Sequence, residues 1–136
     1  MPLHIQIITP ERTLLDTEAD EIIVPTTTGE LSILPNHVNL VTQVASGILV
    51  IKAKGKEESI AVDGGFIEVT EKSVTILSDY AIHAREASAI QAEEAKKRAE
   101  KAMKEKKSLE DFATAEAAFR RAILELKIAG KIRTAK

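Results

Sequence analysis

Residues 48–77 have the sequence ILVIKAKGKEESIAVDGGFIEVTEKSVTIL, and this stretch indicates the fold. Short runs rich in Ile and Val alternate with turn residues: Lys54-Gly55 is typical of a hairpin, and Asp63-Gly64-Gly65 of a second turn. The residues before position 48 repeat the pattern, with β-branched runs that end at prolines. No helical pattern of about 10–15 residues interrupts them, which argues against a parallel α/β sheet. The sequence therefore predicts an antiparallel β-sandwich of about ten short strands.

The composition of the chain changes near residues 81–87. Residues 1–84 contain five Lys/Arg and twelve Asp/Glu, a net charge of −7, whereas residues 85–136 contain fourteen and nine, a net charge of +5. All four Pro and five of the six Gly lie in the first part, and Ala dominates the second. A joint change of this kind indicates a domain boundary. We expect a β-sandwich domain at 1–84 and a helical domain at 85–136, an α+β chain.

Two helix starts are visible in the second part. Ser88 with Gln91, and Ser108 with Asp111, have the spacing of capping boxes. Because the connection is short, we expect an antiparallel two-helix hairpin. Ala buries few methylene groups, each contributing about 0.8 kcal/mol, so we expect the hairpin to dock weakly on the sandwich. Weak docking makes the hairpin a candidate moving part, but composition alone favours a static helical cap with a solvated basic face. The predicted apolar positions are Ala92, Ala95, Ala99 and Ala102 in the first helix and Phe112, Ala115, Phe119, Ala122, Ile123, Leu126 and Ala129 in the second.

No combination of residues indicates catalysis or a bound cofactor. The chain has no Cys, which excludes disulfides, thiolate nucleophiles and zinc fingers. The three His lack metal-ligand spacing, no glycine-rich phosphate motif is present, and four aromatic residues give no stacking platform for nucleic acid. No apolar run approaches the roughly 20 residues of a membrane span, and no signal peptide is seen, so the cytosol is the default compartment. We expect a binding or regulatory module without metal or cofactor.

Two motifs carry a resemblance to a known family: GELSILPNH at 29–37, and GGFIEV at 64–69 followed by VTILSD at 74–79. Together with IITPER at 7–12 and EAKKRAE at 94–100, they make the chain similar to the epsilon subunits of rotary F-type ATP synthases, bacterial type, over essentially its whole length. The resemblance implies a non-catalytic rotor subunit of the central stalk, a peripheral protein at the cytoplasmic face of the cell or energy-transducing membrane, acting in proton-driven ATP synthesis.

The resemblance also implies partners and site residues. In the family the sandwich attaches to the gamma subunit and sits on the c-ring without inserting into the membrane. The hairpin lies folded or extends, and when extended it meets acidic segments of the catalytic alpha/beta hexamer and inhibits ATP hydrolysis. By this resemblance the candidates are Gly29 and Glu30 for the c-ring, His37 for gamma, and Arg120, Arg121 and Lys127 for inhibitory contacts.

The chain departs from the family at one motif. Some bacterial relatives bind ATP through Asp-x-x-Arg-Ala at the start of the first helix, where this chain has Ser88 and Gln91 followed by Ala92. Because the charged pair is missing, we expect weak or no ATP binding and assign no nucleotide-binding residues. The alternative to a stalk subunit is a free-standing regulatory module whose basic hairpin binds an acidic protein or a nucleic acid.

Overall fold

The computed structural model describes residues 2–37, 39–105 and 108–134, with side chains described up to Gly130. The backbone separates into two compact units, residues 1–83 and residues 84–136. In chain order the elements are β1 (Leu3–Ile8), β2 (Thr13–Ala19), β3 (Glu21–Thr26), β4 (Gly29–Ile33), β5 (Leu40–Ala53), β6 (Lys56–Val69), β7 (Ser73–Leu77), β8 (Ala81–His83), a 3-10 turn (Ala84–Glu86), α1 (Ala89–Glu105) and α2 (Leu109–Thr134). Strands followed by helices confirm the predicted α+β class.

The eight strands form one sheet in the order β2-β1-β7-β6-β5-β3-β4, with β8 paired to β6. Among the described residues the pairs are antiparallel, except that β1 and β7 run parallel. The predicted antiparallel pattern did not include this pair. A parallel neighbour must arrive by a long crossover, here residues 9–72, so a local strand pattern gives no sign of it.

The described part of the chain has eight strands where the sequence predicts about ten, because β5 and β6 continue through two predicted breaks. Their pairing keeps one register from Leu40 opposite Val69 to Ala53 opposite Lys56. Gly64 and Gly65, with φ of 74° and 120°, bend β6 within the strand. A sequence pattern does not distinguish a bend within one strand from a turn between two strands, because both use the positive φ that glycine adopts without strain.

The bend divides β6 between two partners, and the sheet thereby folds over a single core. Residues 60–62 pair with β8, whereas residues 66–69 pair with β7. Alternate side chains of β1, β3 and β7 point inward, as the period of two in a strand requires. The fully buried side chains include Leu3, Ile5, Ile7, Ile22, Val24, Ile33, Leu49, Ile60, Ile67, Val74 and Ile76.

The helical unit is a hairpin in which α1 packs along α2. Ala92 and Ala99 are buried, as the predicted alanine face requires, but Ala102 is exposed. Near the connection a groove of about 500 Å³ remains between the helices, lined mostly by alanines. Small side chains thus bring the backbones together without filling the space between them.

The predicted apolar stripe of the second helix is wrong in part. Ala115, Ala122 and Ala129 are buried, whereas Phe112 is 38% exposed. Leu124 and Ile128, which the stripe omitted, are 5% and 0% exposed. Burial therefore concentrates in the second half of α2. In the first turns of α2, the side of the helix that carries Phe112 is open to solvent.

Candidate interaction surfaces

The two residues predicted for the c-ring lie in the turn between β3 and β4. Thr26 Oγ1 donates a hydrogen bond to the Gly29 carbonyl at 2.5 Å and accepts one from the Thr28 N–H at 3.3 Å. Gly29 has φ of 124°, which favours glycine. Glu30 is exposed at the start of β4, an outer strand of the sheet. The turn is therefore a constrained loop that presents one carboxylate to solvent.

The residue predicted for gamma, His37, follows the other end of β4. Asn36 adopts a left-handed φ of 66°, and its N–H donates to the Glu71 carbonyl at 3.0 Å. This bond fixes the loop against the turn between β6 and β7, and His37 is half-buried beside it. Since a strand advances about 3.3 Å per residue, the five residues of β4 separate Glu30 from this loop by more than 10 Å. The structure does not bring the two candidates together.

An exposed apolar surface, for which the sequence predicted no role, lies on the outer side of the sheet. Phe66 is 58% exposed, Leu77 is 53% exposed and Val41 is 67% exposed. Phe66 pairs with Leu77, and Leu77 pairs with Ile8, so three strands place these side chains in one row. Val41 pairs with the exposed Glu68, which lies two positions after Phe66 on the same side of the sheet, so Val41 extends the row beyond one carboxylate. We call the four apolar residues, Ile8, Val41, Phe66 and Leu77, the outer apolar face.

A groove of about 400 Å³ follows this row, lined by Ile8, Pro10, Gly65, Phe66 and Leu77 among others. Single exposed apolar residues are ordinary on proteins, but a contiguous patch marks a site of association. Strand alternation could have revealed it: Ile67 and Ile76 are buried, so their neighbours Phe66 and Leu77 point outward.

The three basic candidates of the hairpin occupy different positions on α2. Arg120 and Lys127 are exposed, whereas Arg121 is half-buried. Residues seven positions apart return to the same side of a helix, so Arg120 and Lys127 share a side, and Arg121 lies about 100° around from Arg120. The structure thus groups two of the three candidates.

Ser88 and Gln91, the two residues from which we expect weak or no ATP binding, lie at the start of α1. Ser88 Oγ accepts a hydrogen bond from the Gln91 N–H at 3.3 Å, as the predicted capping box requires. In a complete capping box the Gln91 side chain would accept the Ser88 N–H. Here the Ser88 N–H donates instead to Glu125 Oε2 of α2, at 2.9 Å. Ser108 caps α2 in the same way, accepting the Asp111 N–H at 2.9 Å.

His4 and His83 are each paired with a carboxylate. His4 contacts Asp16 at 2.7 Å on the surface, and the buried His83 contacts Glu58 at 3.2 Å. Within residues 2–37, 39–105 and 108–134, no group of three His, Asp or Glu side chains is placed to hold a metal ion. None of the helices in this same part of the chain has the length and apolarity needed to cross a membrane.

Comparisons with known proteins match both units of the chain. The family model described as ATP synthase, Delta/Epsilon chain, beta-sandwich domain matches residues 2–84. The model described as ATP synthase, Delta/Epsilon chain, long alpha-helix domain matches residues 90–130. A curated ATP synthase epsilon chain of Caldanaerobacter subterraneus subsp. tengcongensis is 43% identical, covering 94% of each chain. One from Symbiobacterium thermophilum is 42% identical, covering 96% of this chain and 94% of the relative.

A solved structure has the same fold. A chain in the cryo-EM structure of the Euglena gracilis mitochondrial ATP synthase, OSCP/F1/c-ring in rotational state 1, superposes with a TM-score of 0.73. It is 23% identical and covers 95% of this chain and 81% of that chain. The predicted resemblance and the prediction of a non-catalytic ATP synthase subunit are confirmed by the family models and the bacterial relatives. From these matches over nearly its whole length, the chain belongs to the delta/epsilon family of ATP synthase subunits.

Proposed function

We propose that the chain is a rotor subunit of the central stalk of an F-type ATP synthase, coupling the gamma subunit to the c-ring during proton-driven ATP synthesis. The observation that carries the proposal is the presence of two separate surfaces on one sandwich. The outer apolar face takes one residue from each of β1, β5, β6 and β7, and the Glu30 turn lies on an outer strand. A rigid body with two separated surfaces can transmit torque between two partners without reacting chemically.

Gamma is the partner we assign to the outer apolar face. Full burial of a side chain such as Phe66 or Leu77 contributes about 1.5–3 kcal/mol, so this row supplies the hydrophobic centre of an interface. The loop with His37 is held against the turn after β6, at the end of the face where Val41 lies. His37 therefore borders this interface as a polar rim residue.

The c-ring is the partner we assign to the turn with Gly29 and Glu30. The side-chain bonds of Thr26 hold this turn in shape, so an approaching surface meets Glu30 without first having to order the loop. We place the chain at the cytoplasmic face of the cell or energy-transducing membrane, where it contacts the ring and does not insert into the bilayer.

The hairpin is the part to which we assign inhibition of ATP hydrolysis. Residues 85–136 carry a net charge of +5, and the exposed Arg120 and Lys127 lie on one side of α2. Such a surface is complementary to acidic segments of the catalytic alpha/beta hexamer, and attraction between exposed charges weakens as salt increases. Ser88 and Gln91 supply no charge for a nucleotide, so the proposed inhibition does not depend on bound ATP.

Removing the hairpin is expected to raise ATP hydrolysis severalfold in the assembled complex. The comparison uses complexes that contain either the full chain or a chain ending at Arg85, because the sandwich has its own core. A full-length double variant, Arg120→Gln with Lys127→Gln, is expected to reproduce part of the increase, whereas Lys104→Gln, an exposed position on α1, serves as the matched control. Equal hydrolysis by the truncated and full-length complexes, with assembly intact, would remove the inhibitory role and leave the coupling role. Failure of both chains to assemble would contradict the stalk assignment.

A further inference from the structure

The first turn of α1 lacks an acidic side chain of its own. The first N–H groups of a helix have no partners within it and carry a partial positive charge, which an anion stabilises. Ser88 Oγ satisfies one of these groups, the Gln91 N–H. The anion comes from the other helix: Glu125 Oε2 accepts the Ser88 N–H at 2.9 Å, across 37 positions of sequence.

Packing holds Glu125 where it makes this bond. Its neighbours Leu124 and Ile128 are 5% and 0% exposed, and Glu125 itself is half-buried. The same helix contacts the 3-10 turn Ala84–Glu86, which immediately precedes the start of α1. The carboxylate is therefore part of the best-packed segment of α2, unlike an exposed surface pair, whose side chains must be ordered at an entropic cost.

We propose that Glu125 couples closure of the hairpin to the integrity of α1. While α2 lies alongside, its carboxylate caps α1. When the helices separate, the start of α1 loses this anion, and its first turn unwinds more readily. The closed hairpin consequently needs no bound anion at this helix end, because Glu125 already occupies it. This device belongs to the chain alone and does not depend on the partners proposed above.

The test is amide hydrogen exchange on the isolated full chain, comparing Glu125→Gln with Glu116→Gln. The control removes the same charge from an exposed position of the same helix. We expect the Glu125 variant to exchange about tenfold faster at residues 88–91 in low salt, since a charged cap contributes on the order of one decade in an opening equilibrium. The Glu116 variant is expected to match the unmodified chain there.

A salt series on the unmodified chain gives a second readout that needs no substitution. Exchange at residues 88–91 is expected to accelerate with NaCl in the unmodified chain and to respond little in the Glu125 variant, because salt screens the interaction of a charge with a helix end. The inference is overturned if the two variants exchange alike at residues 88–91. It is equally overturned if salt leaves exchange in the unmodified chain unchanged, and this second criterion holds even where the substitution opens the whole hairpin.

Discussion

Phe66→Glu is expected to weaken binding of the chain to the gamma subunit by at least about hundredfold, since a loss of roughly 3 kcal/mol corresponds to more than two decades in affinity. Two effects add. The interface loses the burial of a large aromatic side chain that is 58% exposed in the free chain. It also has to bury a carboxylate beside Leu77, where the apolar row offers no partner of opposite charge among the described residues.

The measurement is titration of the purified gamma subunit with the full chain and its variants. Leu109→Glu is the matched control, because Leu109 is an apolar residue of α2 that is 91% exposed and lies outside the outer apolar face. It receives the same charge in a comparable setting and should bind gamma as the unmodified chain does. Unfolding curves establish that Phe66→Glu leaves the sandwich folded. A folded Phe66→Glu chain with unchanged affinity would show that gamma binds elsewhere.

Gly65→Ala is expected to cost at least about 3 kcal/mol of folding free energy. A Cβ atom at this position would lie 2.0 Å from the Leu77 carbonyl oxygen and 2.9 Å from the Ser78 Cα, both of them backbone atoms. The φ of 120° adds conformational strain for any residue with a side chain. β6 and β7 must separate to admit the methyl group, and this disrupts the pairing of Phe66 with Leu77.

Gly55→Ala separates the effect of the clash from that of the backbone conformation. Gly55 also has a positive φ, 77°, but a Cβ there meets nothing within 4 Å. Its cost is expected to be about 1 kcal/mol, from conformation alone. Urea unfolding can be followed by the fluorescence of Tyr80, because the chain has one Tyr and no Trp and Tyr80 lies in the sandwich unit. Equal losses in the two variants would mean that β6 and β7 accommodate the methyl group.

Local patterns predicted much of this fold, and the misses share a physical cause. Alternation and turn residues identify strands because both act within a few positions, and Ser88 and Ser108 mark helix starts for the same reason. The parallel pairing of β1 with β7 and the bond between Glu125 and Ser88 connect residues that are distant in sequence. No local pattern contains that information.

The candidate surfaces divide in the same way. Glu30 and His37 came from a motif, and the structure places them at opposite ends of β4. Phe66 and Leu77 lie within the motifs at 64–69 and 74–79, but no role was predicted for them, because an apolar residue in a strand is equally suited to a core or to an interface. Only the side of the strand distinguishes the two roles, and that side is fixed by which neighbours the fold buries.

Site-specific photo-crosslinking in the assembled complex tests most directly whether two surfaces of one sandwich meet two different subunits. A photoreactive amino acid is placed at Leu77 in one preparation and at Glu30 in another, and the linked subunits are identified by mass. The proposed function predicts a product with gamma from position 77 and a product with subunit c from position 30. Linkage of both positions to one subunit, or of position 77 to subunit c, would contradict it.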